Sequence, residues 1–155
     1  MIVVYGKPRG KMRPRFTRNG IAYKDPKDVE YEKQIQEAFI TSGEVKRDSY
    51  VSINIDAFYQ IPKGTSKRVK ALMIEGKIRP VVKPDLDNIA KIVLDALNGY
   101  AYKDDNQVVD CYVSKWYSED ARLQIKIWGW FNRKEEWLWL IRIKVVDLRK
   151  NWIMS

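Results

Sequence analysis

The chain has 155 residues, 45% of them apolar, which is enough to bury the core of a single globular domain. Its 29 lysines and arginines against 20 acids leave a formal net charge of +9 at pH 7, which favours a polyanionic partner, nucleic acid ahead of an acidic membrane surface. Histidine is absent and Cys111 stands alone, so His general bases, Ser-His-Asp triads, zinc sites of His or several Cys and an intramolecular disulfide are excluded; any metal is left with oxygen ligands, which suits Mg²⁺ or Mn²⁺.

In chain order, Ile2, Val3, Val4 and Tyr5 predict a first strand, closed by Gly6 and Pro8. Residues 7–18 then carry six basic side chains and no acid: Lys7, Arg9, Lys11, Arg13, Arg15 and Arg18. Asn19-Gly20 is a hairpin-turn signal between 15–17 and 21–23. Asp25-Pro26 starts a helix, with proline at the first helical position, that runs to about Phe39 and buries Val29, Ile35, Ala38 and Phe39.

Residues 51–59 alternate, with Val51, Ile53, Ile55, Ala57 and Tyr59 on one face and Ser52, Asn54 and Asp56 on the other, the pattern of a half-buried strand. Residues 63–83 form a second basic tract, seven Lys or Arg against the single acid Glu75, with a short helix over 66–74. A longer helix follows over 85–97, stopped by Asn98-Gly99. Residues 108–117 and 122–128 read as two strands paired antiparallel about a turn near 118–120, with Cys111 as a small core residue. From Trp128 the character changes: five of the six tryptophans lie in the last 28 residues.

These elements predict one mixed α/β (α+β) domain over residues 1–127, a mixed sheet and an N-terminal β-hairpin packed on two or three helices. Residues 128–155 form a Trp-rich C-terminal extension of open role: docking on the core or a dimer interface, which tryptophan burial rewards, is favoured over a partner-binding appendage or an extension of little role. No run approaches the ~20 apolar residues of a membrane span, and one cysteine without a signal peptide is the expectation for a cytoplasmic protein.

The chemistry concentrates in residues 83–105, KPDLDNIAKIVLDALNGYAYKDD. Asp85 follows Pro84 and sits as a helix N-cap, with Asn88 three residues on. Leu86, Ile89, Ala90, Val93, Leu94 and Leu97 supply the buried stripe, and Asp87, Lys91 and Asp95 recur at four-residue spacing on the opposite face. On the plain reading Asp85 caps and Asp87, Lys91 and Asp95 form surface ion pairs worth roughly 0.3–0.5 kcal/mol each. On the sharper one, Asp104-Asp105, which directly precedes a strand beside this helix, closes with Asp85 and Asp87 around a cation, since clustered carboxylates repel one another without one.

The string resembles the RusA family of Holliday-junction resolvases, whose signature is a D-L-D-N-x-x-K helix followed by a D-D pair. Here the match is Asp85, Leu86, Asp87, Asn88 and Lys91, then Asp104 and Asp105. The amino-terminal part is similar too, with Gly6 and Pro8, then Lys11, Arg13, Pro14 and Arg15, then the Asn19-Gly20 turn, so the resemblance spans roughly residues 2–127. It implies a small homodimeric, Mg²⁺-dependent endonuclease of bacteria or phages that cuts four-way DNA junctions on paired strands. By motif position it implies Asp85, Asp87 and Asp105 as catalytic and metal-binding carboxylates, Asp104 as the alternative in its pair, and Lys91 as the catalytic lysine. The extension after Trp128 departs from the family.

Both basic tracts are candidates for phosphate contacts, through Lys7, Arg9, Lys11, Arg13, Arg15, Lys67, Arg68 and Lys83. Phe16, Tyr59 and Tyr102 serve either as stacking platforms at an opened junction or, the blander reading, as core and interface aromatics. Three other functions stay open: a non-catalytic branched-DNA-binding protein, a less selective metal nuclease, and an RNA-directed nuclease without a recognisable RNA motif.

Overall fold

The structure, a computed structural model, describes residues 1–13, 15–16, 18–19 and 22–129, with the backbone alone at 15, 16 and 22. The expectations for Pro14 and for the extension beyond Gly129 lie outside the described residues. Strand β1 (Ile2–Tyr5) is followed by the hairpin β2 (Arg15–Phe16) and β3 (Ala22–Tyr23), helix α1 (Pro26–Thr41), strand β4 (Val51–Gln60), helices α2 (Lys67–Ile74) and α3 (Leu86–Leu97), a 3₁₀ turn (Asp105–Gln107), and strands β5 (Val108–Ser118) and β6 (Arg122–Gly129).

Local signals account for most boundaries. The Asp25 carboxylate accepts the Lys27 amide hydrogen at 2.9 Å and Pro26 opens α1. The Ser66 hydroxyl caps α2 through the Val69 amide. The β2–β3 hairpin pairs Arg15 with Tyr23 and Phe16 with Ala22, and forms a sheet of its own.

The main sheet has the order β1-β6-β4-β5. The expected β5–β6 hairpin is not formed: β4 lies between the two, parallel to β5 and antiparallel to β6. The reason is burial. Val51, Ile53, Ile55 and Ala57 of β4 are fully buried and need a neighbour on each side, whereas β5 buries no residue completely and takes the edge. Cys111 is correspondingly exposed on β5, not in the core as expected. The parallel β4–β5 pair requires a long crossover, which residues 61–107 supply with α2 and α3.

The core unites Ile2 and Val4 of β1, Tyr31, Ile35 and Phe39 of α1, the inward residues of β4 and β6, and Ile89, Ile92, Val93, Ala96 and Leu97 of α3. Both long helices are turned from the expected stripe. Leu86 is exposed while Ile92 and Ala96 are buried, and on α1 Val29 is exposed while Asp28 and Glu32 are buried. Two acids inside a helix face need partners there, and the N-terminal basic segment supplies them.

Candidate active site and nucleic-acid interface

The first turn of α3 presents two carboxylates without partners. Asp85 is the N-cap in backbone conformation, yet its side chain makes no capping hydrogen bond, unlike Asp25 and Ser66. Asp85, Asp87 and Lys91 are exposed, and among the described residues their side chains make no hydrogen bond or ion pair. The ion-pair ladder of the plain reading is therefore absent. Asp95, its third member, instead meets the Lys11 ammonium at 2.9 Å.

The chain segment 7–13 is laid against this turn. The Lys11 amide donates to the Asn88 carbonyl at 2.8 Å, and Gly10 is packed on Pro84 and Asn88. The Lys11 ammonium pairs with both Glu32 of α1 and Asp95 of α3. Burial alone would lower its pKa, but these two carboxylates outweigh burial and the net shift is upward. The Arg9 guanidinium bonds Asp28 at 2.7 Å and Asp25 at 3.4 Å, and the Met12 amide donates to Asp28 at 2.8 Å. Arg9 and Lys11 thus tie the segment to α1 and α3 and hold their charge inside the protein. Lys7 and Arg13 remain exposed, without a partner among the described residues. The side chain of Arg15 lies outside the described residues.

The second basic tract, residues 63–83, leads along the chain into the same turn. Lys67 and Arg68 stand exposed in the first turn of α2, which contains no acid. Cations at a helix N-terminus oppose its dipole at about 0.3–1 kcal/mol each, so this placement does not serve the helix. Residues 75–85 then run along β5 to α3, bringing exposed Lys83 next to Asp85. A cleft of about 410 Å³ opens there between segment 79–83, Asp85, Leu86 and residues 113–115.

The two aspartates after α3 have different employment. The Asp104 carboxylate accepts the Asn106 amide at 3.0 Å and the Gln107 side chain returns to the Asp104 amide, a capping box for the 3₁₀ turn. Asp105 is exposed and makes no such bond. It lies near Tyr102, whose hydroxyl donates to the Leu94 carbonyl at 2.8 Å and whose pKa is raised, first by burial and next by the Asp105 charge. Tyr102 and Tyr59 are buried, so both serve as core aromatics. The side chain of Phe16 lies outside the described residues.

Among the described residues no three His, Cys, Asp or Glu side chains gather to hold a metal ion. The expected closure of both acidic pairs into one shell is not present. The donors nonetheless fit Mg²⁺ in kind, because that ion is commonly held by one or two carboxylates and completed by water and substrate phosphate. Asp85 and Asp87 are hard oxygen donors with no competing partner among the described residues.

A cluster on β4 and β5 was not signalled by the sequence. Trp116 stacks under Arg79 and donates its indole hydrogen to Asp56. Asp56 reads only as the polar face of an alternating strand, and its partner is 60 residues away.

Two comparisons bear on this site. The profile of the family described as Endodeoxyribonuclease RusA matches residues 5–128. The "Uncharacterized protein YqaN" of Bacillus subtilis (strain 168) is 42% identical over 131 residues, covering 80% of this chain and 92% of that protein. No helix among the described residues is long and apolar enough to cross a membrane.

Proposed function

The chain belongs to the RusA family of endodeoxyribonucleases, and on that premise we propose that it is a Mg²⁺-dependent nuclease that resolves four-way DNA junctions as a homodimer. One observation carries the reading: residues 10–11 of the first basic tract and 79–83 of the second lie against the helix turn whose two aspartates have no partner among the described residues. Asp85 and Asp87 would hold the cation; Asp105, which does not gather with them here, is the member of its pair left to serve as a third acid, since Asp104 is engaged as a cap.

When bound, a divalent cation supplies Lewis acidity and offsets phosphate charge. The chain's own residues do the rest. Lys91, one turn beyond Asp87 and without a partner among the described residues, places an ammonium against the charge that grows on the phosphate in the transition state. Lys7, Arg13, Lys67, Arg68 and Lys83 carry the backbone contacts, whereas Arg9 and Lys11 hold the scaffold. A two-fold dimer matches the two symmetry-related strands of a junction. Mn²⁺ substitutes for Mg²⁺ because the donors are all oxygen.

The test is cleavage of a labelled, immobile four-way junction. Paired nicks on opposing strands in Mg²⁺, lost in EDTA and in Asp85→Asn, are expected. Asp87→Asn is expected to lose cleavage while keeping junction affinity. Tight binding with no cutting in either metal would make the protein a non-catalytic junction binder. Equal cutting of linear duplex would make it a less selective nuclease.

A further inference from the structure

The connection from α2 to α3 has no regular structure over residues 75–85, yet it is pinned to β5 at several points. The Arg79 Nε donates to the Lys115 carbonyl at 2.6 Å, and the Lys115 ammonium donates to the Val82 carbonyl at 2.6 Å. The Arg79 guanidinium carbon lies over the Trp116 ring, 3.3 Å from its centroid. Trp116 is itself fixed. Its indole N–H donates to Asp56 at 2.9 Å, and the other Asp56 oxygen accepts from Asn54 at 2.7 Å. On its edge Gly76 packs so closely that a β-carbon there would stand 2.9 Å from the Trp116 ring.

Such a chain does more than hold a loop. An arginine ordinarily loses rotamer entropy when it grips a ligand; one already stacked and bonded through Nε has lost that freedom beforehand. Among the described residues the two terminal nitrogens of Arg79 have no hydrogen-bond partner, and Arg79 lines the cleft that Asp85 also lines. Lys83 and Lys115 line it too, so the cleft has three cations to one acid. A planar pair of N–H donors in a cationic cleft fits a phosphate oxygen pair.

We propose that Arg79 is a preorganised DNA-phosphate contact beside the Asp85 turn, oriented by the Trp116–Asp56–Asn54 chain. The ligand is a backbone phosphate flanking the one cut, and Trp116 and Asp56 are positioning residues. The assignment rests on the nuclease reading above and adds a specific contact to it.

The test is junction affinity of the full chain in EDTA, measured over a range of salt. Loss of one phosphate contact reduces the slope of log affinity against log salt by about 1. Arg79→Gln is expected to show that reduction with affinity about 10-fold weaker. Trp116→Phe, which keeps an aromatic platform but loses the N–H to Asp56, is expected to show part of that reduction, and Trp116→Ala all of it. A thermal melt of each variant separates folding from contact, since a merely structural Arg79 would lower the melting temperature and leave the slope of the folded protein unchanged. A wild-type slope in folded Arg79→Gln would overturn the assignment while leaving the nuclease reading intact. Failure of the wild-type chain to bind junction DNA at all would overturn both.

Discussion

Gly10 sits so close to Pro84 that a β-carbon at position 10 would stand 2.5 Å from the Pro84 β-carbon and 2.9 Å from that of Asn88. The contact joins the N-terminal basic segment to the residue just before Asp85. Its backbone is not in the left-handed region, so the constraint is one of space alone.

Gly10→Ala is therefore expected to push the segment off α3. Overpacking of this kind costs about 1–3 kcal/mol. The melting temperature falls, and junction cleavage falls more than stability does, because the Lys7 and Arg13 charges move away from the site. Denaturant unfolding beside a cleavage assay checks both.

Within the same segment the basic residues divide, the inner pair Arg9 and Lys11 holding the scaffold and the outer pair Lys7 and Arg13 facing solvent. Lys11→Met removes the ammonium shared by Glu32 and Asp95 and leaves a largely buried Glu32 with only the exposed Lys24 at 3.5 Å, at about 2 kcal/mol. Lys7→Ala and Arg13→Ala are exposed and expected to leave stability within about 0.5 kcal/mol. Their effect is on junction affinity, which weakens and becomes less salt-dependent. Equal stability loss at all three positions would contradict this division.

The Asp104–Asp105 pair separates in the same way. Asp104→Ala removes the cap of the 3₁₀ turn and is expected to cost about 1 kcal/mol. Asp105→Asn leaves stability unchanged and abolishes cleavage. Melting curves and junction cleavage of the two single variants decide between them.

Two buried phenols set an alkaline limit. Burial pushes the Tyr31 hydroxyl up to about 12 from an ordinary 10.0, and burial does the same for Tyr59. The folded state thus favours the neutral phenol. That contribution is fully present below pH 10 and is lost as pH rises from there through about 12. Melting temperature is expected to fall across this window, and less steeply in Tyr31→Phe.

Residues close together in sequence determined much by themselves. The Asp25-Pro26 and Ser66 starts, the alternation of β4 and the span of α3 all follow from capping and periodicity, which act within one element. The acidic motif was legible for the same reason, since Asp85, Asp87 and Lys91 share one helix. What those residues touch was not. Only the tertiary structure decided that β4 separates β5 from β6, that Asp28 and Glu32 turn inward to Arg9 and Lys11, and that Asp95 leaves Lys91 unpaired. It likewise decided that Asp85 does not cap and that Trp116 holds Arg79. Each is a choice between partners far apart in the chain, made by which buried charges and apolar faces must be satisfied at once, and no local spacing encodes that competition.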